Sequence, residues 1–247
     1  METHAHELHK ASGRGWKHYV YEFLMLFLAI SLGFFVENLR EYNVERHREK
    51  EYINSLIEDL AGDILMTSDN IINYTNQISD IDTLLIRFNE FKNGYDSSLF
   101  DKLYAIEGYP DFIYSDKTIQ QLKSAGNMRL IQNKIASDSI IVYDSNIRDF
   151  LIDIDMTLSI FKKNIFNLYK TIDLQKQTFD LKTQSKYELE KSGVKYLLVY
   201  DELKLAQFRN IVYLFQDACR YNVMREKKIK AHAIRVIDTL KKEYHLD

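Results

Sequence analysis

The side chains that most often perform catalysis are sparse in this chain. Cys219 is the only cysteine among the 247 residues, and the nearest histidine, His232, lies 13 positions away. On a helix that separation is about 20 Å, which excludes a cysteine nucleophile activated by histidine. A single cysteine also excludes an internal disulfide and a metal site built from several thiolates.

Acidic and histidine-rich stretches provide no catalytic pattern either. Four of the seven histidines fall within the first 18 residues, at a chain terminus and without the spacing of a helical metal site. Asp153 and Asp155 are two positions apart, so on a helix their carboxylates point about 200° apart and do not converge. The sequence contains no glycine-rich phosphate loop and no nucleophile-turn motif. We therefore expect no catalytic, cofactor-binding or metal-binding residues, no cofactor, and a protein that is not an enzyme.

A group of cations near the C-terminus forms a candidate interaction surface, which we call the basic patch. It consists of Arg220, Arg225, Lys227, Lys228, Lys230 and Arg235. A patch of this kind suits anionic lipid or an acidic partner, and it equally suits a solvated helix face balanced by acidic neighbours. The formal net charge of −3 gives the chain no general attraction to nucleic acid, which we exclude as a partner.

Residues 19–36 form the only segment that is apolar on every side. Its uninterrupted part, 23–36, is short for a bilayer, whose hydrocarbon core needs about 20 residues of helix. Counting from Trp16 to the end of the segment gives 21 residues, or about 31 Å of helix, and Tyr19 and Tyr21 suit the headgroup boundary. We predict an uncleaved transmembrane anchor. The alternatives are a buried helix of a soluble domain and a cleaved signal peptide, whose hydrophobic region here would be too short.

Three residues of this anchor share one helical face, which we call the anchor face. At about 100° per residue, Glu22, Ala29 and Gly33 align. Ala29 and Gly33 form a pair of small residues that lets two membrane helices approach closely, and a carboxyl group in a membrane helix is costly without a partner. The sequence therefore predicts a transmembrane oligomer face. The alternative is a carboxylate that reaches the membrane interface beside two incidental small residues.

The elements that position these groups are long helices, because the chain contains one proline and eight glycines. Steps of four and three predict one helix that continues from the anchor through about residue 91. The seam of this helix is Ile53, Ile57, Leu60, Ile64, Thr67, Ile71, Tyr74, Ile78, Ile81, Leu85 and Phe88. Before it, residues 37–52 are mostly charged and predict a solvated stalk.

Two further long helices follow from the same periodicity. One is predicted from about 133 to 187 and the other over 201–244. Between the first and second long helices, residues 95–126 lack a clear period, and we predict short helices there that cap the end of a bundle. Ser98 and Ser115 are the expected N-caps, and Gly126 is the expected helix end.

The fold class that follows is all-α. An N-terminal transmembrane helix continues into an elongated antiparallel bundle of three long helices with short capping helices. The predicted organisation is a tail at 1–18, the anchor at 19–36, and one elongated helical-bundle domain over 37–247. That domain includes the stalk at 37–52 and the capping region at 95–126.

Two stretches of the chain resemble a family of uncharacterised single-pass membrane proteins abundant in Bacteroidota. Residues 21–41 (YEFLMLFLAISLGFFVENLRE), Arg46 and residues 51–60 (EYINSLIEDL) look like the start of these proteins. Residues 118–131 (TIQQLKSAGNMRLI) are similar to their mid-chain signature. The resemblance implies a single-pass anchor with a helical extramembrane domain and implies no activity. The N-terminal tail departs from the pattern because it is less basic than in related proteins.

These features together predict a non-enzymatic, membrane-anchored helical scaffold or interaction protein, an oligomeric subunit of an inner-membrane assembly. The alternative is a membrane-anchored, sensor-like helical bundle that binds a ligand between its helices. The expected partners are the lipid bilayer and either further copies of the chain or other envelope proteins. Cations near the two ends of the anchor are almost equal in number, so the positive-inside rule barely separates the orientations. A short tail before a single span favours a periplasmic over a cytoplasmic domain at the bacterial inner membrane.

Overall fold

The structure is a computed structural model that describes residues 15–93, 97–106, 108, 110, 112–124, 126–171, 177–180, 185–188, 198 and 201–246. Its α-helices are α1 (Trp16–Arg87), α2 (Ser97–Asp101), α3 (Lys117–Ser124), α4 (Lys134–Tyr169) and α5 (Glu202–Tyr244). Short 3-10 turns occupy Phe88–Asn93, Lys102–Ile106 and Asn127–Leu130. Two strands, β1 (Gln177–Asp180) and β2 (Ser185–Glu188), form an antiparallel hairpin. Within the described residues the fold is all-α, as predicted, apart from this hairpin.

The chain divides into two compact units, Met1–Glu51 and Tyr52–Asp247. Most of the predicted tail, residues 1–14, lies outside the described residues. The first unit contains the predicted anchor and all but the last residue of the predicted stalk. The second unit contains the predicted bundle helices and the capping region.

Helix α5 begins and ends where the sequence pattern places it. Asp201 is its N-cap, and the Asp201 carboxylate accepts a hydrogen bond from the Lys204 amide at 2.9 Å. This bond satisfies one of the amide groups that have no partner in the first turn of a helix. At the other end His245 adopts a left-handed conformation with φ 53°, which stops the helix.

The predicted end of the second long helix is wrong. Helix α4 stops at Tyr169 rather than at residue 187, and residues 177–188 contain the hairpin. Thr178 of β1 lies opposite Tyr187 of β2, a cross-strand pair of two residue types that favour strands. The apolar period of threes and fours in the sequence also ends at about residue 172. Beyond it, no continuous apolar helix face competes with the strand propensity of these residues. The short apolar run at 194–200 also predicts a turn of helix, but it falls outside the described residues, except for Leu198.

The second unit has two apolar clusters, at different levels of the long helices. The first, which we call the Ile53 cluster, joins α1, α3, α4 and the C-terminal half of α5. The second, the Phe88 cluster, joins the end of α1, α2 and the N-terminal half of α5. The Phe208 ring stacks on Phe88 with 5.1 Å between ring centroids, and Asn133 before α4 donates to Glu243 near the end of α5. Helix α5 therefore runs antiparallel to both α1 and α4.

The buried stripe of α1 differs in part from the predicted seam. One row of the seam is buried as predicted: Ile53, Leu60, Thr67, Tyr74, Ile81 and Phe88. The other row (Ile57, Ile64, Ile71, Ile78 and Leu85) is only partly buried, and the buried positions beside the first row are Leu56, Asp63, Asn70 and Leu84. Helix α1 turns this side inward because Asp63 and Asn70 have polar partners on α4 and α5. Apolar periodicity does not detect such a side.

The predicted capping region packs at two levels of the bundle. Leu99 of α2 belongs to the Phe88 cluster, whereas Ile119 and Leu122 of α3 belong to the Ile53 cluster. Helix α2 begins at Ser97, one residue before the predicted cap Ser98, and α3 begins two residues after the predicted cap Ser115. Gly126 has a φ of 65°, the left-handed conformation expected at the helix end.

Candidate functional site

The N-terminal part of α1 is long and apolar enough to cross a membrane. Its most apolar window of 18 residues has a mean hydropathy of 2.0, and none of that window is buried. A core helix of a soluble domain would bury such a surface, because each large apolar side chain gains about 1.5–3 kcal/mol on burial. The exposed apolar surface agrees with the predicted anchor and supports attachment to a membrane.

The structure places all three residues of the predicted anchor face on the exposed surface of α1. A side chain added at Gly33 meets no atom within 4 Å. Ala29 is exposed, and the Glu22 carboxylate lies 4.0 Å from Nε2 of His18, one helical turn earlier. Within the described residues, therefore, nothing of the chain itself covers this face.

The structure divides the predicted basic patch between different faces of α5. Arg225, Lys228 and Arg235 line one pocket between α4 and α5, which we call the basic pocket. Arg220 instead pairs with Asp82 of α1 at 3.4 Å. Lys227 and Lys230 do not line the pocket. Helical geometry explains the division, since residues three or four apart share a face and neighbours do not.

The basic pocket has a volume of about 260 Å³ and includes a histidine that the sequence pattern did not assign to a site. Its lining residues are Asn146, Asp149, Arg225, Lys228, Ile229, His232 and Arg235. The signal in the sequence is the spacing of 225, 228, 232 and 235 in steps of three and four. Grouping the cations as one contiguous patch overlooks this helical spacing, and His232 with it.

His232 is held in place from α4. Its Nδ1 lies 3.0 Å from the Asn146 side-chain nitrogen, and its ring meets the Tyr143 ring edge to face with 5.4 Å between centroids. Burial and the nearby Arg235 guanidinium lower the pKa of His232. In the neutral ring the Asn146 amide donates to Nδ1, so Nε2 carries the remaining proton.

Arg225 forms the inner wall of the basic pocket. Its guanidinium lies 3.3 Å from the Asp153 carboxylate and 5.6 Å from the centroid of the Phe150 ring. The Nε atom is buried and has no hydrogen-bond partner in the described part of the chain. The contacts with Asp153 and Phe150 thus hold the Arg225 guanidinium in place beside the pocket.

A group of buried polar residues, which we call the polar layer, lies inside the bundle. It consists of Asp63, Thr67, Asn70, Tyr74, Tyr143, Asn222 and Glu226. Asp63 accepts hydrogen bonds from the Ser115 amide and from the Tyr143 hydroxyl, each at 2.7 Å. A Cβ added at the neighbouring Gly62 would lie 3.2 Å from the Ser115 hydroxyl oxygen, so the Ser115 side chain would have to shift slightly.

Glu226 is the second buried carboxyl group of the polar layer. Asn70 donates to its Oε1 at 3.2 Å, while Oε2 is buried without a hydrogen-bond partner among the described residues. Burial raises the pKa of Glu226 to about 7, against the lowering effect of the Asn70 bond. A large part of the Glu226 population is therefore uncharged at neutral pH.

Cys219 shows none of the features of a nucleophile. Its side chain is fully buried in the Phe88 cluster, and burial raises the pKa of the thiol to about 12. At neutral pH the thiol stays protonated, whereas thiol chemistry needs the thiolate. Within the described residues, no group of three or more histidine, cysteine, aspartate or glutamate side chains is placed to hold a metal ion.

Comparison of the chain with protein-family models, with curated proteins and with solved structures finds no match.

Proposed function

We propose that the protein is a non-enzymatic, membrane-anchored helical scaffold or interaction protein that forms an oligomeric subunit of an inner-membrane assembly. The observation that carries this proposal is the anchor face, where a side chain added at Gly33 would meet no atom within 4 Å and Ala29 is exposed. Small residues four positions apart allow two helices in a membrane to pack backbone against backbone. Glu22, on the same face, then meets a neighbouring helix instead of lipid.

A substitution at Gly33 tests the oligomer. We expect Gly33→Leu to abolish chemical crosslinking between copies of the full chain in membranes, because the larger side chain separates the helices. Ser31→Leu is the matched control, since residue 31 lies about 200° from residue 33 around the helix. Crosslinks that persist in Gly33→Leu, or that disappear equally in both variants, would remove the anchor face from the proposal.

We also propose that the helical domain lies in the periplasm. A new cysteine in place of the exposed Lys227, on a Cys219→Ser background, gives a single accessible thiol in the second unit. We expect a membrane-impermeant maleimide to label this thiol before the inner membrane is broken. Labelling only after lysis would place the domain in the cytoplasm.

The second candidate function is a sensor-like bundle that binds a ligand between its helices. Two cavities on the α4–α5 side favour it: the basic pocket, and an apolar groove of about 310 Å³ that Phe161, Leu214 and Tyr221 help to line. Copurification separates the two functions. A partner protein in constant stoichiometry supports the scaffold, whereas a chain that copurifies only with itself and a small molecule supports the sensor. Membership of the Bacteroidota family remains a prediction.

A further inference from the structure

We propose that the basic pocket between α4 and α5 is a binding site for a small anion that bears a phosphate group. The site is formed by Arg225, Lys228, His232 and Arg235 of α5 together with Asn146 of α4. It goes beyond the scaffold, because it requires neither the anchor face nor an oligomer. It deepens the second candidate function by naming the class of ligand.

The first argument is the balance of charge in the pocket. Among the described residues that line the pocket, three are cations, Arg225, Lys228 and Arg235, and one is a carboxylate, Asp149. Lys228 and Arg235 form no ion pair within the described residues. Burial, and after it the Arg235 charge, lowers the pKa of His232. Like charges brought together in this way repel, and a bound anion relieves that repulsion.

The second argument is the orientation of Arg225. Its guanidinium lines the pocket, and its pairing with Asp153 at 3.3 Å holds it in place there. Arginine also suits phosphate, since its planar N–H groups match the oxygens of that anion.

The third argument is the variety of donors and the room between them. The same cavity of about 260 Å³ is lined by arginine and lysine side chains and by the neutral imidazole of His232, whose remaining donor is Nε2–H. A tetrahedral dianion accepts hydrogen bonds in several directions, whereas a carboxylate accepts in one plane. The volume accommodates a phosphate group with a small substituent and is too small for a typical drug-sized ligand.

Titration of the full chain with inorganic phosphate tests the site. The protein is held in a phosphate-free detergent, sodium chloride keeps the ionic strength constant, and the ³¹P linewidth of phosphate reports binding. We expect saturable broadening with a dissociation constant on the order of 1 mM or lower. Linear, unsaturable broadening up to about twenty times that concentration would overturn the proposal.

A pair of double variants separates the pocket from general attraction to a basic helix. We expect Lys228→Gln with Arg235→Gln to weaken phosphate binding at least about tenfold, because hydrogen bonds to charged groups are removed. Lys227→Gln with Lys230→Gln removes the same charge from the same helix outside the pocket, and we expect less than about a twofold change. Equal losses in the two double variants would overturn the proposal.

A variant that binds phosphate more tightly shows that the pocket's charge, and not misfolding, controls binding. Asp149 is exposed and lines the pocket, so Asp149→Asn removes the lining carboxylate and should tighten phosphate binding severalfold. Unchanged or weaker binding in this variant would contradict the charge argument.

Adding phosphatidylglycerol to the micelles distinguishes the source of the phosphate group. Competition with inorganic phosphate assigns the site to a lipid headgroup, and no competition assigns it to a soluble compound.

The outcome is independent of the proposed scaffold. Failure of phosphate binding leaves the Gly33→Leu crosslinking result unaffected, because the anchor face and the basic pocket belong to different units of the chain.

Discussion

Asp63 and Glu226 are two carboxyl groups buried in the same bundle, with side chains that are 1% and 0% exposed. Asp63 accepts from the Ser115 amide and the Tyr143 hydroxyl. Glu226 accepts from Asn70 alone, and its second oxygen has no partner within the described residues. Equal burial is therefore combined with unequal hydrogen bonding.

The difference shows what decides the charge of a buried carboxyl group. Burial raises the pKa of both groups. At Asp63 the hydrogen bonds from Ser115 and Tyr143 lower the pKa against this rise. At Glu226 the Asn70 bond acts against the effect of burial, and the pKa still reaches about 7. Asp63 links three segments of the chain, whereas Glu226 is poised to change its charge near neutral pH.

The largest expected effect comes from removing Asp63. We expect Asp63→Ala to lower the free energy of unfolding by about 4 kcal/mol, because the Ser115 amide and the Tyr143 hydroxyl both lose their acceptor. A denaturant titration of the full chain in detergent micelles measures this change. Asp69→Ala, at an exposed position of the same helix, should change the free energy of unfolding by no more than about 0.5 kcal/mol. Similar losses in both variants would show that the bonds of Asp63 do not stabilise the fold.

The next effect concerns the charge of Glu226. Its pKa is about 7 in the folded protein against an ordinary value of 4.5, so the folded chain keeps a proton that the unfolded chain releases. The free energy of unfolding therefore falls as the pH rises from about 4.5 through about 7, by roughly 3 kcal/mol in all. Glu226→Gln lacks this contribution and should become more stable than the parent chain only on the alkaline side.

Denaturant titrations at about pH 5 and about pH 9 measure the pH effect. Glu58→Gln is the control, since Glu58 is exposed on α1 and its replacement should leave the pH dependence unchanged. A Glu226→Gln variant whose stability parallels that of the parent at both pH values would mean that Glu226 is already charged below neutrality.

The smallest expected effect comes from removing one of the two hydrogen-bond donors to Asp63. We expect Tyr143→Phe to lower the free energy of unfolding by about 1–2 kcal/mol, because Asp63 keeps the Ser115 amide as a donor. It should also raise the pKa of Asp63 further, since a bond that stabilises the carboxylate is lost. Tyr213→Phe is the control at an exposed position of α5. Equal effects of the two variants on stability would mean that the hydroxyl of Tyr143 contributes nothing.

The parts of the fold that were predictable are those with local causes. Helix α5 matches the predicted 201–244 because Asp201 caps one end and its apolar period is continuous. Gly126 ends a helix because its left-handed φ of 65° needs no partner elsewhere in the chain. The predicted extension of α4 to residue 187 was wrong because the apolar helical period ends before that residue and the residues that follow favour strands.

The candidate sites were predictable only as sets of residues. The anchor face follows from spacing along one helix, and its residues are exposed in the structure. The basic patch is a set of cations that are close in sequence, and its members separate because they lie in different directions around α5. His232 and Asn146 join three of them in one pocket, and the two lie 86 positions apart in the chain.

The sequence by itself determined the apolar segment at 19–36, the long helices and most of their ends, because helix formation depends on neighbours within one or two turns. Only the tertiary structure decided that Asn70 reaches Glu226, 156 positions away, and that Oε2 of Glu226 receives no hydrogen bond within the described residues. Partners so distant in sequence leave no periodic signal. The properties that depend on them, a carboxyl group uncharged near neutral pH and a pocket lined by cations, emerge only when the helices pack.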